Sequence, residues 1–323
     1  MTPIGAGVVG VGRLGAVHAR LLAASERFTL VGVHDIDESR AAEVAEGNGA
    51  RVFETAEALA SECDAIVVAV PTALHAEIAG VCLDADCHLL VEKPLAATPE
   101  EARGIVSDAD DRGVVLAVGH VERFNGVVLA CEPFLERPRF IESLRIAAFQ
   151  PRGTDVNVVL DLMIHDIDLV SALVGRPVVS VDAIGTPVMT GSIDMANARL
   201  KFEGGAVADI SASRVSLQAR REMRLYEDAG YFSLDLAAGR GTYLRRSDRP
   251  PEGASGITDL VERIELVPEP GEPLEREIDG FADAISGRPS RLVRGAAGVQ
   301  ALEVAARITR QIEESADVFA EDS

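Results

Sequence analysis

The sequence predicts an α/β protein, with an N-terminal doubly wound parallel sheet followed by a C-terminal α+β domain whose sheet is mostly antiparallel. Three observations carry that expectation. Over the first 120 residues, short β-branched runs alternate with helical stretches. Beyond them, one long apolar helix is surrounded by candidate strands with hairpin-like turns. The chain of 323 residues is also too long for one ordinary hydrophobic core and long enough for two. Domains are therefore expected at residues 1–120 and 121–323.

In the first domain the β-branched runs are Ile4 to Val9, Thr29 to His34, Ala65 to Val70, His88 to Val91 and Val114 to Val118. Near-continuous apolar strands separated by helices belong to a parallel sheet covered on both faces. Helix formers at amphipathic spacing fill Leu14 to Ala24, Ser39 to Glu46, Ala73 to Leu83 and Pro99 to Asp110. Thr98, Pro99 and Glu101 read as an N-cap, a proline at the first helical position and an early acidic residue. In the second domain the long helix is Val158 to Val174. Strands are expected at Phe140 to Phe149, Val178 to Ile184, Ala196 to Phe202, Ala206 to Ser213, Glu222 to Tyr226 and Tyr231 to Leu236. Gly204 with Gly205, and Asp228 to Gly230, supply turn chemistry. Residues 246–256 read as a surface loop, and helices Leu274 to Ile285 and Gly295 to Glu314 close the chain.

Composition narrows the function. Hydrophobic residues make up 47% and charged residues 26%, with no polar low-complexity run, which is a globular composition. No apolar stretch is long enough to span a bilayer and no basic region precedes the first apolar run, so a cytoplasmic protein is expected. The 52 acidic against 31 basic residues give a net charge of -21, which repels nucleic-acid and anionic lipid phosphates. Such an excess also suits solubility at high salt. Cys63, Cys82, Cys87 and Cys131 lack the paired spacing of zinc or redox motifs and read as buried reduced thiols; no metal is expected. Only Lys93 and Lys201 are lysines, against 29 arginines. A chain that avoids lysine keeps it where an ammonium must exchange its proton, which singles out Lys93.

Gly10, Gly12 and Gly15 form a G-x-G-x-x-G between the first strand and the first helix. Such glycines allow a tight turn and let backbone approach a pyrophosphate at the positive end of the helix dipole, here with Arg13 and Leu14. Asp35 ends the second strand, twenty residues beyond Gly15, where a carboxylate accepts from ribose hydroxyls. It would repel a 2′-phosphate, which favours NAD over NADP, although Arg40 lies nearby. Asp37 and Glu38 read as solvated first-turn acids. Pro71 and Thr72 follow the fourth strand at the ligand edge of the sheet and could line the cofactor. His75, one turn on, is either a packed helix residue or a supporting group of the cofactor site.

Glu92, Lys93 and Pro94 lie just past the fifth strand, on the same edge. The alternative for Lys93 is a solvated loop lysine. Oxidation of a carbinol needs a group that takes the hydroxyl proton as the hydride leaves, and a lysine near the nicotinamide charge could have its pKa lowered for that task. On the long helix, Asp161, His165 and Asp168 fall at i, i+4 and i+7 on one face, with Asp166 beside them. An ionisable stripe on an apolar helix faces a cleft or is satisfied structurally. In the first case His165 accepts a proton and Asp161 orients it. No nucleophile elbow or P-loop is present.

The glycine loop, the Glu92-Lys93-Pro94 triplet and the Asp161–His165 pair together resemble the Gfo/Idh/MocA family of oxidoreductases over nearly the whole chain. The resemblance implies a Rossmann domain followed by an α+β domain whose open sheet commonly mediates oligomer contacts, with substrate between them. It also implies that Lys93 touches the reacting hydroxyl, that His165 is the acid/base and that Asp161 assists it. Glu92, Lys93 and His75 are then expected near NAD. Two further stretches, Val118 to Asn125 and Asp155 to Leu169, are similar to bacterial nucleotide-sugar 3-dehydrogenases of that family. By that likeness His120, Glu122, Arg123, Asn125, Arg152 and Asn157 line the substrate cleft, and the substrate is a UDP-N-acetylhexosamine oxidised at C3. Gly126 stands where those relatives usually carry proline. The structural alternative for His120 to Asn125 is a crossover loop anchored by Phe124. Oxidation of myo-inositol or another polyol or monosaccharide, and a non-catalytic NAD-binding sensor, are the competing functions.

Overall fold

The structure is a computed structural model, and it describes residues 2–149, 156–247 and 256–321. The chain divides into two compact units, Met1–Phe124 with Glu272–Leu302, and Asn125–Gly271 with Glu303–Ser323. The division differs from a simple boundary near residue 120, because residues 272–302 return to the first unit.

The first unit is built on strands β1 (Ile4–Val9), β2 (Phe28–His34), β3 (Arg51–Val52), β4 (Ala65–Val68), β5 (His88–Glu92) and β6 (Leu116–Gly119). They form one six-stranded sheet in the order β3-β2-β1-β4-β5-β6, parallel throughout. The reversal between β1 and β4 leaves a crevice at the carboxyl ends of the strands, the place where such sheets bind ligands. Helices α1 (Arg13–Ala24), α2 (Glu38–Asn48), α3 (Ala56–Ala60), α4 (His75–Asp84) and α5 (Pro99–Arg112) connect them. The two-residue β3 was not legible as a strand. Thr98 caps α5 as expected: its hydroxyl accepts from Glu101 N–H at 3.2 Å, and the Glu101 carboxylate accepts from Thr98 N–H at 3.0 Å.

Burial of apolar surface explains the return of the late segment. Phe28 stacks on Phe281 with ring centroids 6.1 Å apart, and Arg27 pairs with Asp283 at 2.9 Å. Phe124, Ile278 and Phe281 join Leu22, Val33 and Val67 in one buried cluster.

The second unit carries β7 (Phe140–Ala148), β8 (Val178–Thr186), β9 (Met195–Phe202), β10 (Val207–Ser216), β11 (Arg220–Glu227), β12 (Gly230–Asp235), β13 (Arg240–Arg246) and β14 (Val261–Leu266). Their order is β14-β13-β12-β11-β7-β10-β9-β8, antiparallel except for the pair β7 and β10. Strands β13 and β14, which flank the expected loop at 246–256, were not expected from the sequence; most of that loop lies outside the described residues. Alternation along β10 buries Ala208, Ile210, Ala212 and Arg214 and leaves Asp209, Ser211 and Ser213 half-exposed, so one face of the sheet is covered and the other open. Helix α6 (Gly126–Cys131) packs on β12, β13 and β14. Helices α8 (Ile257–Leu260), α9 (Pro273–Ile285) and α10 (Gly295–Glu321) follow in the chain.

The stretch Val158 to Val174 is not one α-helix. A π turn, Val159–Met163, precedes α7 (Ile164–Val174). Apolar periodicity does not register the one extra residue of a π turn, which is why the sequence read as uniform helix.

Candidate active site

The glycine loop has the geometry its spacing requires. Gly10 has φ +84°, and a Cβ there would lie 2.8 Å from the Ala69 carbonyl carbon and oxygen. A Cβ on Gly15 would meet the Gly10 carbonyl oxygen at 1.9 Å, so these two positions accept no side chain. Gly12 differs: its φ is -60°, and a Cβ would meet nothing within 4 Å. Space, not backbone strain, is what Gly12 leaves. No side chain caps α1 and no acidic residue occupies its first turn, so its N–H groups remain available to an anion, whereas Asp37 caps α2 and Thr98 caps α5. Arg13 and Leu14 are exposed on that first turn.

Asp35 does more than end β2. One carboxylate oxygen accepts from Val11 N–H at 2.8 Å and the other from Asp37 N–H at 2.9 Å, so the carboxylate clasps the glycine loop. Arg40 stands 3.5 Å from Asp35 and 2.9 Å from Asp37, which accounts for where its charge goes. A carboxylate oxygen with one donor retains acceptor capacity for a ribose hydroxyl. Pro71 is exposed and Thr72 half-buried at the exit of β4.

Past β5, the triplet turns in two directions. Lys93 is half-buried, and the Lys93–Pro94 bond is cis. Glu92, expected near the cofactor, is 7% exposed and directs its carboxylate inward: Oε1 lies 2.7 Å from His18 Nε2, and Oε2 accepts from Lys93 N–H at 3.3 Å. His75 is likewise committed inside the unit. Its Nδ1 lies 2.8 Å from Pro94 O and its Nε2 2.9 Å from Val70 O, the packed arrangement of the two read from sequence. After β6, His120 and Glu122 are buried and Arg123 half-buried, while Phe124 enters the core and its carbonyl accepts from Arg276 at 3.2 Å.

In the second unit, Asn125 and Asn157 act on backbone. Asn125 Oδ1 accepts from Val127 N–H at 3.2 Å, capping α6, and its Nδ2 donates to Leu236 O at 3.0 Å. Asn157 Oδ1 accepts from Val159 and Leu160 N–H, both at 3.1 Å, and so starts the π turn that carries Asp161. Asp161 and His165 are both half-buried, whereas Asp168, expected on their face, is 2% exposed. The deepest acid of α7 is Asp166. Its carboxylate accepts from Arg145 Nε at 2.7 Å, Arg145 Nη2 at 3.1 Å and Ser143 Oγ at 3.0 Å. This buried fork fixes α7 against β7 immediately beside His165. Arg152 lies outside the described residues. Among the described residues, no cluster of three or more His, Cys, Asp or Glu is arranged to hold a metal ion.

Two residues that matter to this geometry had no role assigned from the sequence: His18, which was not named, and Asp166, which was named only as lying beside the ionisable stripe. The signal for His18 was its place on the inner face of α1 with Gly15, Ala19 and Leu22. For Asp166 it was Arg145, at an inward position of β7 where a guanidinium requires a carboxylate.

Residues 4–120 match the Gfo/Idh/MocA oxidoreductase family with NAD-binding Rossmann fold, and residues 143–233 match the C-terminal domain of the same family. UDP-N-acetylglucosamine 3-dehydrogenase of Acidithiobacillus ferrooxidans is 36% identical over 308 residues, covering 95% of this chain and 96% of that one. A solved structure of that enzyme superposes with a TM-score of 0.89 at 34% identity, covering 97% of this chain and 99% of the other. Inositol 2-dehydrogenase 2 of Saccharopolyspora erythraea is 34% identical over 221 residues, 63% of this chain and 65% of that one. With the glycine cradle, the lysine at the carboxyl edge of β5 and both family domains present, the chain belongs to the Gfo/Idh/MocA family and is an NAD-dependent oxidoreductase acting on CH–OH groups.

Proposed function

We propose that the chain oxidises the C3 hydroxyl of a UDP-N-acetylhexosamine to a ketone. The observation that carries the substrate is the 36% identity over 95% of the chain with a UDP-N-acetylglucosamine 3-dehydrogenase, against 34% over 63% and 25% over 97% of the chain for two inositol 2-dehydrogenases. The uncapped start of α1, the open space at Gly12 and the carboxylate of Asp35 suit pyrophosphate and ribose, with Gly10, Arg13, Leu14, Gly15, Pro71 and Thr72 completing the cofactor contacts.

NAD, when bound, supplies the acceptor for the hydride that leaves the alcohol carbon. Lys93 contacts the reacting oxygen, and its positive charge favours the developing alkoxide character. His165 takes the hydroxyl proton on its imidazole, with Asp161 orienting the ring. His120, Glu122 and Arg123 serve the substrate, with Arg123 and Arg152 as the cations for its diphosphate. Asn125 and Asn157 act there by shaping the backbone they cap. The open face of the second sheet, with Glu142, Leu144, Asp209 and Arg224, is the surface for a homo-oligomer. Four free cysteines suit a reducing cytoplasm, and among the described residues no helix is long and apolar enough to cross a membrane.

The test is turnover. Protein with NAD is offered UDP-sugars, inositols and free sugars while NADH absorbance is followed, and light scattering reads the assembly state. UDP-N-acetylhexosamines should give the highest kcat/KM. Turnover of inositols alone would replace the substrate, and NAD binding without turnover of any of them would make the chain a sensor. Lys93→Met should remove turnover and leave NAD affinity nearly intact; full activity in that variant ends the role given to Lys93.

A further inference from the structure

His18 has no part in the reading so far, yet it is fully buried on α1, the helix that starts at the glycine loop. A histidine wholly inside an apolar layer needs a partner for its polar atoms. His18 has one: Nε2 stands 2.7 Å from Glu92 Oε1, across 74 residues of sequence. The other nitrogen, Nδ1, meets no hydrogen-bond partner among the described residues, as expected of the tautomer that carries its proton on Nε2. Nε2–H therefore donates to the carboxylate. The remaining sides of that carboxylate are closed as well. Oε2 accepts the Lys93 backbone N–H, and a Cβ on Gly119 would come within 2.8 Å of Oε2 and 3.0 Å of Oε1. One residue further on, His75 sits between Pro94 O and Val70 O. The backbone on both sides of Lys93 is thus tied to helices: Glu92 to α1 through His18, and Pro94 to α4 through His75.

We propose that His18 is a positioning residue, which holds Glu92 so that the backbone presenting Lys93 is fixed relative to α1. The helix whose first turn suits the cofactor phosphates and the loop that carries the reacting lysine are then one rigid piece. The proposal rests on the role given to Lys93 above. Nothing in it requires His18 or Glu92 to touch a ligand. The requirement is a donor at the position of Nε2, which glutamine can supply and methionine, of similar size, cannot.

Three variants test it, His18→Met, His18→Gln and the pair His18→Met with Glu92→Gln, the last removing the buried charge in case His18→Met does not fold. Amide hydrogen exchange is followed at Lys93 in the protein without added cofactor, and kcat and KM are measured for the most active substrate. His18→Met, or the pair in its place, should speed exchange at Lys93 by about tenfold while β2 exchanges as before. Its kcat should fall by about 10–100-fold, with both KM values changed less than about threefold, the signature of a misplaced reacting group. His18→Gln should recover exchange and kcat to within about threefold of the original. Unchanged exchange at Lys93, a loss confined to the KM for NAD, or equal damage from methionine and glutamine would each overturn the proposal. Lys93→Met is run alongside. If it keeps its turnover the role of Lys93 fails, while the exchange measurement still decides the brace.

Discussion

The pair Arg145–Asp166 offers a test in which the structure fixes the sign and the size. Their side chains are 4% and 1% exposed, and Asp166 accepts three hydrogen bonds, two of them from the guanidinium. Asp166→Leu removes the acceptor of all three and takes from the buried Arg145 the carboxylate that forks on it. Losing one member of a buried pair costs about 3–5 kcal/mol. For a unit of this size about 2–4 °C accompanies each kcal/mol, so the melting transition of the second unit should fall by roughly 6–20 °C. Adding Arg145→Met removes the buried guanidinium as well, and the double variant should return to within about 2 kcal/mol of the original, because apolar replacement of a whole buried pair is close to neutral. Calorimetry of the three proteins reads this directly. A single variant that loses less than about 1 kcal/mol, or a double variant no better than the single, would refute the claim that the pair holds α7 beside His165.

Asp194 gives a pH prediction. It is fully buried, and desolvation alone would raise its pKa, but the Thr190 hydroxyl and the N–H groups of Val188, Met189 and Thr190 outweigh that and bring it from 3.8 down to about 2. A depressed carboxylate stabilises above its unfolded pKa and loses that contribution as pH falls toward the folded value. Roughly 2 kcal/mol should vanish between about pH 4 and pH 2, and Asp194→Asn should flatten that part of the denaturation profile. The glycine loop separates two effects. Gly15→Ala, with a Cβ 1.9 Å from Gly10 O, should destabilise the fold, whereas Gly12→Ala should melt normally and lose at least about tenfold in NAD affinity by calorimetric titration. Normal NAD affinity in Gly12→Ala would remove Gly12 from the cofactor site. Burial pushes the thiols of Cys63, Cys82 and Cys131 up to about 12 and that of Cys87 up to about 11. Iodoacetamide at pH 8 should modify none of them in the native protein and all four after unfolding; rapid native labelling would contradict that burial.

What could be read from residues alone followed from how local each signal is. The parallel sheet announced itself because β1, β2, β4 and β5 are near-continuous apolar runs, and the glycine loop because its three glycines fall within six residues at the end of the first of them. The edge strand β14 and its neighbour β13 were missed, since Arg240–Arg246 and Val261–Leu266 carry charges at outward positions that blur the apolar alternation. The site residues divide along the same line. Lys93 stood out by composition and His165 by its place on an apolar helix, both properties of the sequence near at hand. Glu92, His75, Asn125 and Asn157 were named for the ligand sites, and the structure gives their side chains partners in the scaffold. Asn157 and Asn125 cap the turns that follow them, a local role, whereas two other partners are set by no local pattern: His18 lies 74 positions from Glu92, and Leu236 lies 111 from Asn125. A polar residue next to a reacting group has two destinations, the ligand or the scaffold that aims its neighbour. A carboxylate at strand end β5 with 7% exposure and an imidazole 2.7 Å away has taken the second. The consequence for reading such sites is that polar residues flanking a motif should first be assigned to the motif's own backbone, and to the ligand only when a side-chain atom remains exposed.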